Sequence, residues 1–206
     1  MTDRFIHPNA FTIDLGRRVE DHTPDEITEF TTSSLTDCGF VVLRNMPAPV
    51  LEEAYEEAQC LARAADQEDS WRHGFFGRSR YVNTSPEVTH GSQMVRSLGK
   101  FIGEYTDVSP LLGASVCRYE RQARTAMRRA RSGEYLGDLS LQGRMVLEVW
   151  HGRERRALTA MRPGDAIILV GGRDGPKMRS WNTTKRVDSD ERAQRLGLEL
   201  RLENTD

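Results

Sequence analysis

Two periodicities divide the chain. As far as about residue 106, apolar residues mostly recur at helical spacing, and from Leu111 onward they fall in short runs broken by Gly, Pro and charge. Phe11-Thr-Ile-Asp-Leu15 alternates like a short strand. Thr23-Pro-Asp-Glu26 is a helix start, with Thr23 as cap, Pro24 at the first helical position and Glu26 completing a capping box. That helix is expected to run to about Asp37 and stop near Gly39, followed by Phe40-Val-Val-Leu-Arg44 as a buried strand. Pro47 and Pro49 open a second helix, with Leu51, Ala54, Tyr55, Ala58, Leu61 and Ala62 on one face. Residues 66–91, rich in Gly, Ser, Asn and charge, read as irregular loop. From Ser92 a third helix is expected, because Met94, Val95, Leu98, Phe101, Ile102 and Tyr105 keep the i, i+3, i+4 pattern.

The second half predicts strands at 112–119, 144–150, 155–160, 165–170, 178–182 and 194–202. In the last of these, Leu196, Leu198, Leu200 and Leu202 alternate, so Arg195 and Gly197 share the opposite face. Helices first and strands later imply an α+β fold, a single domain over 1–206 in which residues 11–106 are mainly helical support with two short strands and residues 111–203 form the β core. One stretch departs from this texture. Arg118, Arg121, Arg124, Arg128 and Arg131 recur at spacings of 3, 3, 4 and 3 with Ala and Met between them, which is helical periodicity in strong helix formers.

Composition narrows the function classes. The chain has 206 residues, 37% hydrophobic and 29% charged, with net charge −2, which suits a globular protein and argues against a polycation built for nucleic acid. Nucleic-acid binding is further disfavoured because the arginine run has no interleaved aromatics. No apolar run reaches bilayer length, and the N-terminus lacks the apolar core of a signal peptide, so a cytoplasmic protein is expected. The sequons at Asn83 and Asn182 then carry no meaning. Cys38, Cys60 and Cys117 show neither disulfide pairing nor metal-ligand spacing. Lysine is rare, at positions 100, 177 and 185 only; a GC-rich coding bias, as in many bacteria, explains most of the arginine.

Three C-terminal pieces stand in order: Met161-Arg-Pro-Gly-Asp-Ala-Ile-Ile-Leu, Met178-Arg-Ser-Trp-Asn-Thr-Thr-Lys-Arg-Val187 and Arg195-Leu-Gly-Leu. This order resembles the end of the 2-oxoglutarate/Fe(II) oxygenase superfamily, in its isopenicillin-N-synthase-like branch, which writes Gly-Asp, then Arg-x-x-Ser-x-x-His-Arg-Val, then Arg-x-Ser. Phe11-Thr-Ile-Asp-Leu and Asp37-Cys-Gly-Phe-Val-Val-Leu-Arg-Asn-Met-Pro resemble the branch's opening. Val116-Cys-Arg-Tyr119 resembles its Arg-x-x-Tyr strand, which contacts the co-substrate. The resemblance implies a double-stranded β-helix (jelly roll, cupin-like) buttressed by N-terminal helices.

It does not carry over the iron site. Such oxygenases hold iron with two histidines and one carboxylate. Lys185 stands where the histidine of His-Arg-Val would be, and Met127 and Arg129 stand by spacing near the first pair. None of His7, His22, His73, His90 and His151 has Asp or Glu two residues later. Protonated lysine and arginine offer no lone pair. No metal cofactor is therefore expected, while 2-oxoglutarate or a similar carboxylate stays possible as a ligand.

Arg195 matches the arginine that forks onto the distal carboxylate of 2-oxoglutarate, or else is a surface arginine of an edge strand. Lys185, with Arg118 and Arg129, offers fixed cations for a carboxylate or an enolate, and a desolvated Lys185 is a candidate base or nucleophile. His151, ending a strand beside Trp150, is a candidate general acid or base. The expectation is a metal-independent enzyme of lyase, isomerase or cyclase type, acting on a small anionic or secondary-metabolite substrate. Lys185 and His151 would be catalytic, and Arg195, Arg118, Tyr119, Arg129 and Trp150 would bind substrate. The alternatives are a non-catalytic pseudo-oxygenase that partners another protein or its own copy, and an oxygenase with atypical ligands.

Overall fold

The computed structural model describes residues 8–18, 23–68, 72–73, 79–83, 111–119, 123–183 and 195–203. Lys185 and the helix expected over 92–105 lie outside them. After the strand β1 (Thr12–Asp14) and the short helix α1 (Leu15–Arg18), the capping box starts α2 (Pro24–Cys38) as expected. The Glu26 N–H donates to the Thr23 hydroxyl at 3.4 Å, and the Thr23 N–H donates to the Glu26 carboxylate at 2.8 Å. Gly39 ends the helix at φ 78°, a left-handed turn that glycine adopts without penalty. β2 (Phe40–Arg44) follows, and then α3 (Ala48–Gln67), which buries Ala54, Ala58, Ala62 and Ala65. Small side chains on that face let the helix approach the sheet closely.

The stretch expected as loop over 66–91 is partly regular. Helix α3 reaches Gln67, and β3 (Arg72–His73) and β4 (Ser79–Asn83) add two strands to the sheet edge. The β core comprises β5 (Leu111–Tyr119), β6 (Glu134–Gln142), β7 (Met145–His151), β8 (Glu154–Met161), β9 (Ala166–Val170), β10 (Lys177–Asn182) and β11 (Arg195–Glu203). The larger sheet has the order β1-β2-β9-β6-β11-β5-β4-β3 and the smaller one β10-β7-β8. Alternate excursions between two facing sheets, with antiparallel pairing throughout the core, make a double-stranded β-helix.

The arginine run does not form a helix. Residues 123–131 lie extended along the open edge of β10. There the Asn182 N–H donates to the Ala123 carbonyl at 2.9 Å, the Thr125 N–H to Ser180 at 2.8 Å, and Arg128 and Met178 exchange bonds at 2.7 and 2.8 Å. The helix preference of Ala, Arg and Met is worth at most about 0.7 kcal/mol per residue. Each edge hydrogen bond contributes about 1 kcal/mol, and leaving buried β10 groups unpaired would cost more. Tertiary pairing wins, and the segment borders the smaller sheet through two isolated bridges to β10.

Two apolar layers flank the larger sheet. Ile27, Leu35, Ala54 and Ala58 of the helices meet Val41, Leu43, Val116, Leu139, Ile168 and Leu198 on one face. On the other, Phe40, Val42, Leu136, Ile167 and Leu169 meet Met145, Leu147, Val149, Ala157 and Met178 of the smaller sheet. Full burial of such side chains contributes about 1.5–3 kcal/mol each.

The Gly-Asp motif has a structural duty. Gly164 turns at φ 89°, with its N–H donating to Ser140 and its carbonyl accepting from Met46. Asp165 accepts from the Arg162 N–H at 2.9 Å and pairs with Arg44, whose other nitrogen reaches the Thr159 hydroxyl. The motif thus clamps the β2 edge of one sheet to β8 of the other.

Candidate functional site

The space between the sheets holds a polar centre that alternation builds strand by strand. In β6, Leu136 faces the smaller sheet, so Asp138 and Ser140 face it too. In β11, Leu196, Leu198 and Leu200 face the helices, which turns Gly197 and Glu199 inward. Glu199 lies opposite Asp138 on one side and Ser115 of β5 on the other. Across from them, the guanidinium of Arg128 donates to Asp138 at 2.9 Å and to Glu199. Asp138 is 2% exposed. Burial works against the charged guanidinium, but Tyr119, Asp138 and Glu199 hold its pKa well above the usual arginine value, so it stays protonated. The fully buried Ser140 hydroxyl and the Arg128 Nε have no hydrogen-bond partner among the described residues.

The inward residues of the extended segment are Ala123, Thr125, Arg128 and Ala130. Met127 is 42% exposed and Arg129 is exposed, so the two positions that spacing placed near the iron-binding pair turn outward. Iron does not fit what faces inward. Alanine has no donor, protonated arginine has no lone pair, and both nearby carboxylates are engaged by Arg128. Among the described residues no group of three or more His, Cys, Asp or Glu side chains is placed to hold a metal.

The remaining sequence candidates separate into three places. Tyr119 is buried at one end of the interior beside Cys117 and Ala123, and its carbonyl accepts from the Asn182 amide at 3.0 Å. Burial pushes the Cys117 thiol up to about 12, with Glu199 adding to the rise, which removes it as a nucleophile. The backbone of Arg195 pairs with Tyr119. Thr183, the last residue described before Lys185, hydrogen-bonds to Arg144 at the same end.

Arg118 is on the other face of β5, in a bidentate pair with Asp66 of α3 at 2.8 and 3.0 Å. It therefore does not join Tyr119 in one pocket. His151 and Trp150 lie at the far end of β7. His151 is exposed, with Nε2 2.7 Å from the Asp174 carbonyl, and six residues separate it from Met145, the partner of Asn182. At about 3.3 Å per residue, some 20 Å divide His151 from the Tyr119 end. Lys185 and His151 were expected at one mouth; the described residues flanking Lys185 lie at the opposite end of the strand from His151.

Trp150 belongs to the outer face of the smaller sheet, around Glu148. This carboxylate is 5% exposed and accepts from Trp150 Nε1 at 3.2 Å, Arg155 at 3.3 Å and Arg179 Nε at 2.5 Å. Burial alone would raise its pKa, but the three donors outweigh that and bring it below the usual 4.5. A depressed folded-state pKa stabilises above the unfolded value, and that contribution is lost as pH falls through the folded value. Glu148→Gln is therefore expected to cost about 1–3 kcal/mol at pH 7. In denaturant unfolding from pH 7 to 3, the gap between the two proteins should narrow below pH 4.5.

Fold and interior together define the class: a double-stranded β-helix with an ion network at its centre. Similar folds are found in a prolyl hydroxylase from Trichoplax adhaerens, solved in complex with a hypoxia-inducible-factor oxygen-degradation-domain peptide, at 11% identity and TM-score 0.62, covering 91% of this chain and 94% of that one. A prolyl-4-hydroxylase from Pseudomonas putida is similar at 13% identity and TM-score 0.53, covering 86% and 98%. At these identities the likeness is one of fold. No family model and no curated protein matches the chain. No helix among the described residues is long and apolar enough to cross a membrane.

Proposed function

We propose that this chain is an iron-independent pseudo-oxygenase, keeping the 2-oxoglutarate-oxygenase fold as a binding scaffold without oxygen chemistry. The observation that carries this reading is Arg128, a buried cation bound to Asp138 and Glu199 on the segment where the sequence resemblance would place the first pair of iron ligands. Two further facts support it: Cys117 is too basic to act as a nucleophile, and His151 lies at the wrong end of β7 to serve Tyr119. With Fe(II), 2-oxoglutarate and ascorbate under air, the protein is expected to form succinate no faster than a protein-free control. Protein-dependent succinate formation would overturn the reading.

A metal-independent enzyme is the second reading, favoured by one observation: Thr183 and Arg195, the described residues that flank Lys185, both lie at the Tyr119 end. A small carboxylate held there by Lys185 and Arg195 is its substrate class. Lys185→Ala would then abolish binding of 2-oxoglutarate or a similar diacid in calorimetry without metal, and unchanged binding would remove this reading.

A further inference from the structure

The outer face of the smaller sheet carries a pattern that the linear sequence hides. Among the described residues it presents Arg124, Arg155, Lys177 and Arg179 around one carboxylate, Glu148, in a chain of net charge −2. The helical layer on the far side of the larger sheet is acidic, with Asp25, Glu29 and Asp37 lining a groove along α2. Glu148, the carboxylate at the centre of the basic face, is engaged by Arg155 and Arg179 as described.

Sheet register supplies the aromatics that the arginine run lacks in sequence. Trp181 of β10 bridges to Arg124 of the extended segment, and Trp150 lies opposite Lys177. Arg179 sits between the two tryptophans, its guanidinium 5.7 Å from the centre of the Trp150 ring. Its Nε is anchored on Glu148 while the side chain stays 44% exposed, open to solvent. From the level of Trp150 to Trp181 is four residues, about 13 Å. Ring, guanidinium, ring and a further arginine thus form one row across adjoining strands.

We propose that this face binds single-stranded nucleic acid, with bases stacking on Trp150 and Trp181 and phosphates meeting Arg179 and Arg124. Positive charge alone would serve an acidic peptide equally well. Tryptophans alternating with arginines favour a polyanion that also has flat rings to stack. The site is remote from the interior and does not depend on whether iron binds there.

Labelled oligouridylate and oligothymidylate of about twelve nucleotides, with polyglutamate as the third arm, test it by fluorescence anisotropy and intrinsic tryptophan quenching. Binding of an oligonucleotide with quenching, and not of polyglutamate, is expected; the RNA and DNA arms show which strand is preferred. Trp181→Leu should weaken binding about five- to a hundredfold by loss of stacking. Arg124→Gln, at an exposed position tied into the sheet only through its backbone, should lower the slope of log K against log salt by about 0.7 with the fold untouched. Absence of oligonucleotide binding at low salt, or affinity unchanged in Arg124→Gln, overturns the proposal. Polyglutamate binding as tightly as the oligonucleotides, without quenching, overturns it in favour of an acidic protein partner.

Discussion

Replacing Arg128 with methionine is expected to lower the unfolding free energy by about 3–5 kcal/mol, because it removes the guanidinium that two neighbouring carboxylates share. Asp138 is 2% exposed and loses its guanidinium donor, and Glu199 beside it loses its own. The two carboxylates, on neighbouring strands at the same register position, would then repel each other across the larger sheet. Uncompensated burial raises a carboxyl pKa, so the variant should recover stability relative to the parent as pH falls from 7 toward 4. The triple variant Arg128→Met, Asp138→Asn, Glu199→Gln should regain most of the loss, since neutral amides of similar size replace the stranded charges. Denaturant unfolding at pH 7 and pH 5 measures both effects. A loss below about 1 kcal/mol would mark the network as no stronger than a surface pair.

The second large effect is expected from Gly171→Ala. Gly171 follows β9 and donates its N–H to the Glu134 carbonyl at 2.8 Å. A Cβ built there overlaps the carbonyl oxygens of Arg131 and Glu134, which are backbone atoms and cannot swing aside. Those carbonyls flank the turn that carries the chain from the Arg128 segment into β6, so relief requires prising that turn from the sheet. A loss of at least about 3 kcal/mol is expected, the upper end of what overpacking costs. Gly113→Ala is the control, since a Cβ on that strand residue meets nothing within 4 Å and should shift stability by no more than about 0.5 kcal/mol. Equal losses at both sites would show that chain entropy, and not the close approach, sets the cost.

Local chemistry was legible wherever it was self-contained. The Thr23 to Glu26 box, the Gly39 stop and the runs at 40–44 and 112–119 each hold their own instructions within a few residues. The strand β6 was not read, because Glu134-Tyr-Leu-Gly-Asp-Leu-Ser-Leu-Gln buries Asp138 and Ser140 on its inner face where alternation would demand apolar residues. Its signal was present in Tyr135, Leu139 and Leu141, which share the helix-facing side. The arginine run misled because propensity is a local quantity, while the open edge of β10, fifty residues later, decides the outcome.

The candidate site shows the same division. Sequence spacing reached the right segment for the central residue and missed the register by one position, since Arg128, between Met127 and Arg129, is the side chain that turns inward. The alternating leucines of β11 already implied that Glu199 shares a face with Arg195. Nothing local tells that Asp138 would lie beside it, because the pairing of β6 with β11 joins residues some sixty positions apart. Trp150 and His151 were grouped with Lys185 by residue type, which carries no information about the two ends of one strand.

We propose that Arg128, protonated and bound to Asp138 and Glu199, stands where the sequence resemblance would place a metal. Anaerobic Fe(II) loading of the protein, followed by desalting and elemental analysis, tests it most directly. Iron far below one equivalent is expected, unchanged when 2-oxoglutarate is added as a co-ligand. One equivalent of iron retained through desalting, in a protein whose Arg128 is intact, would contradict it.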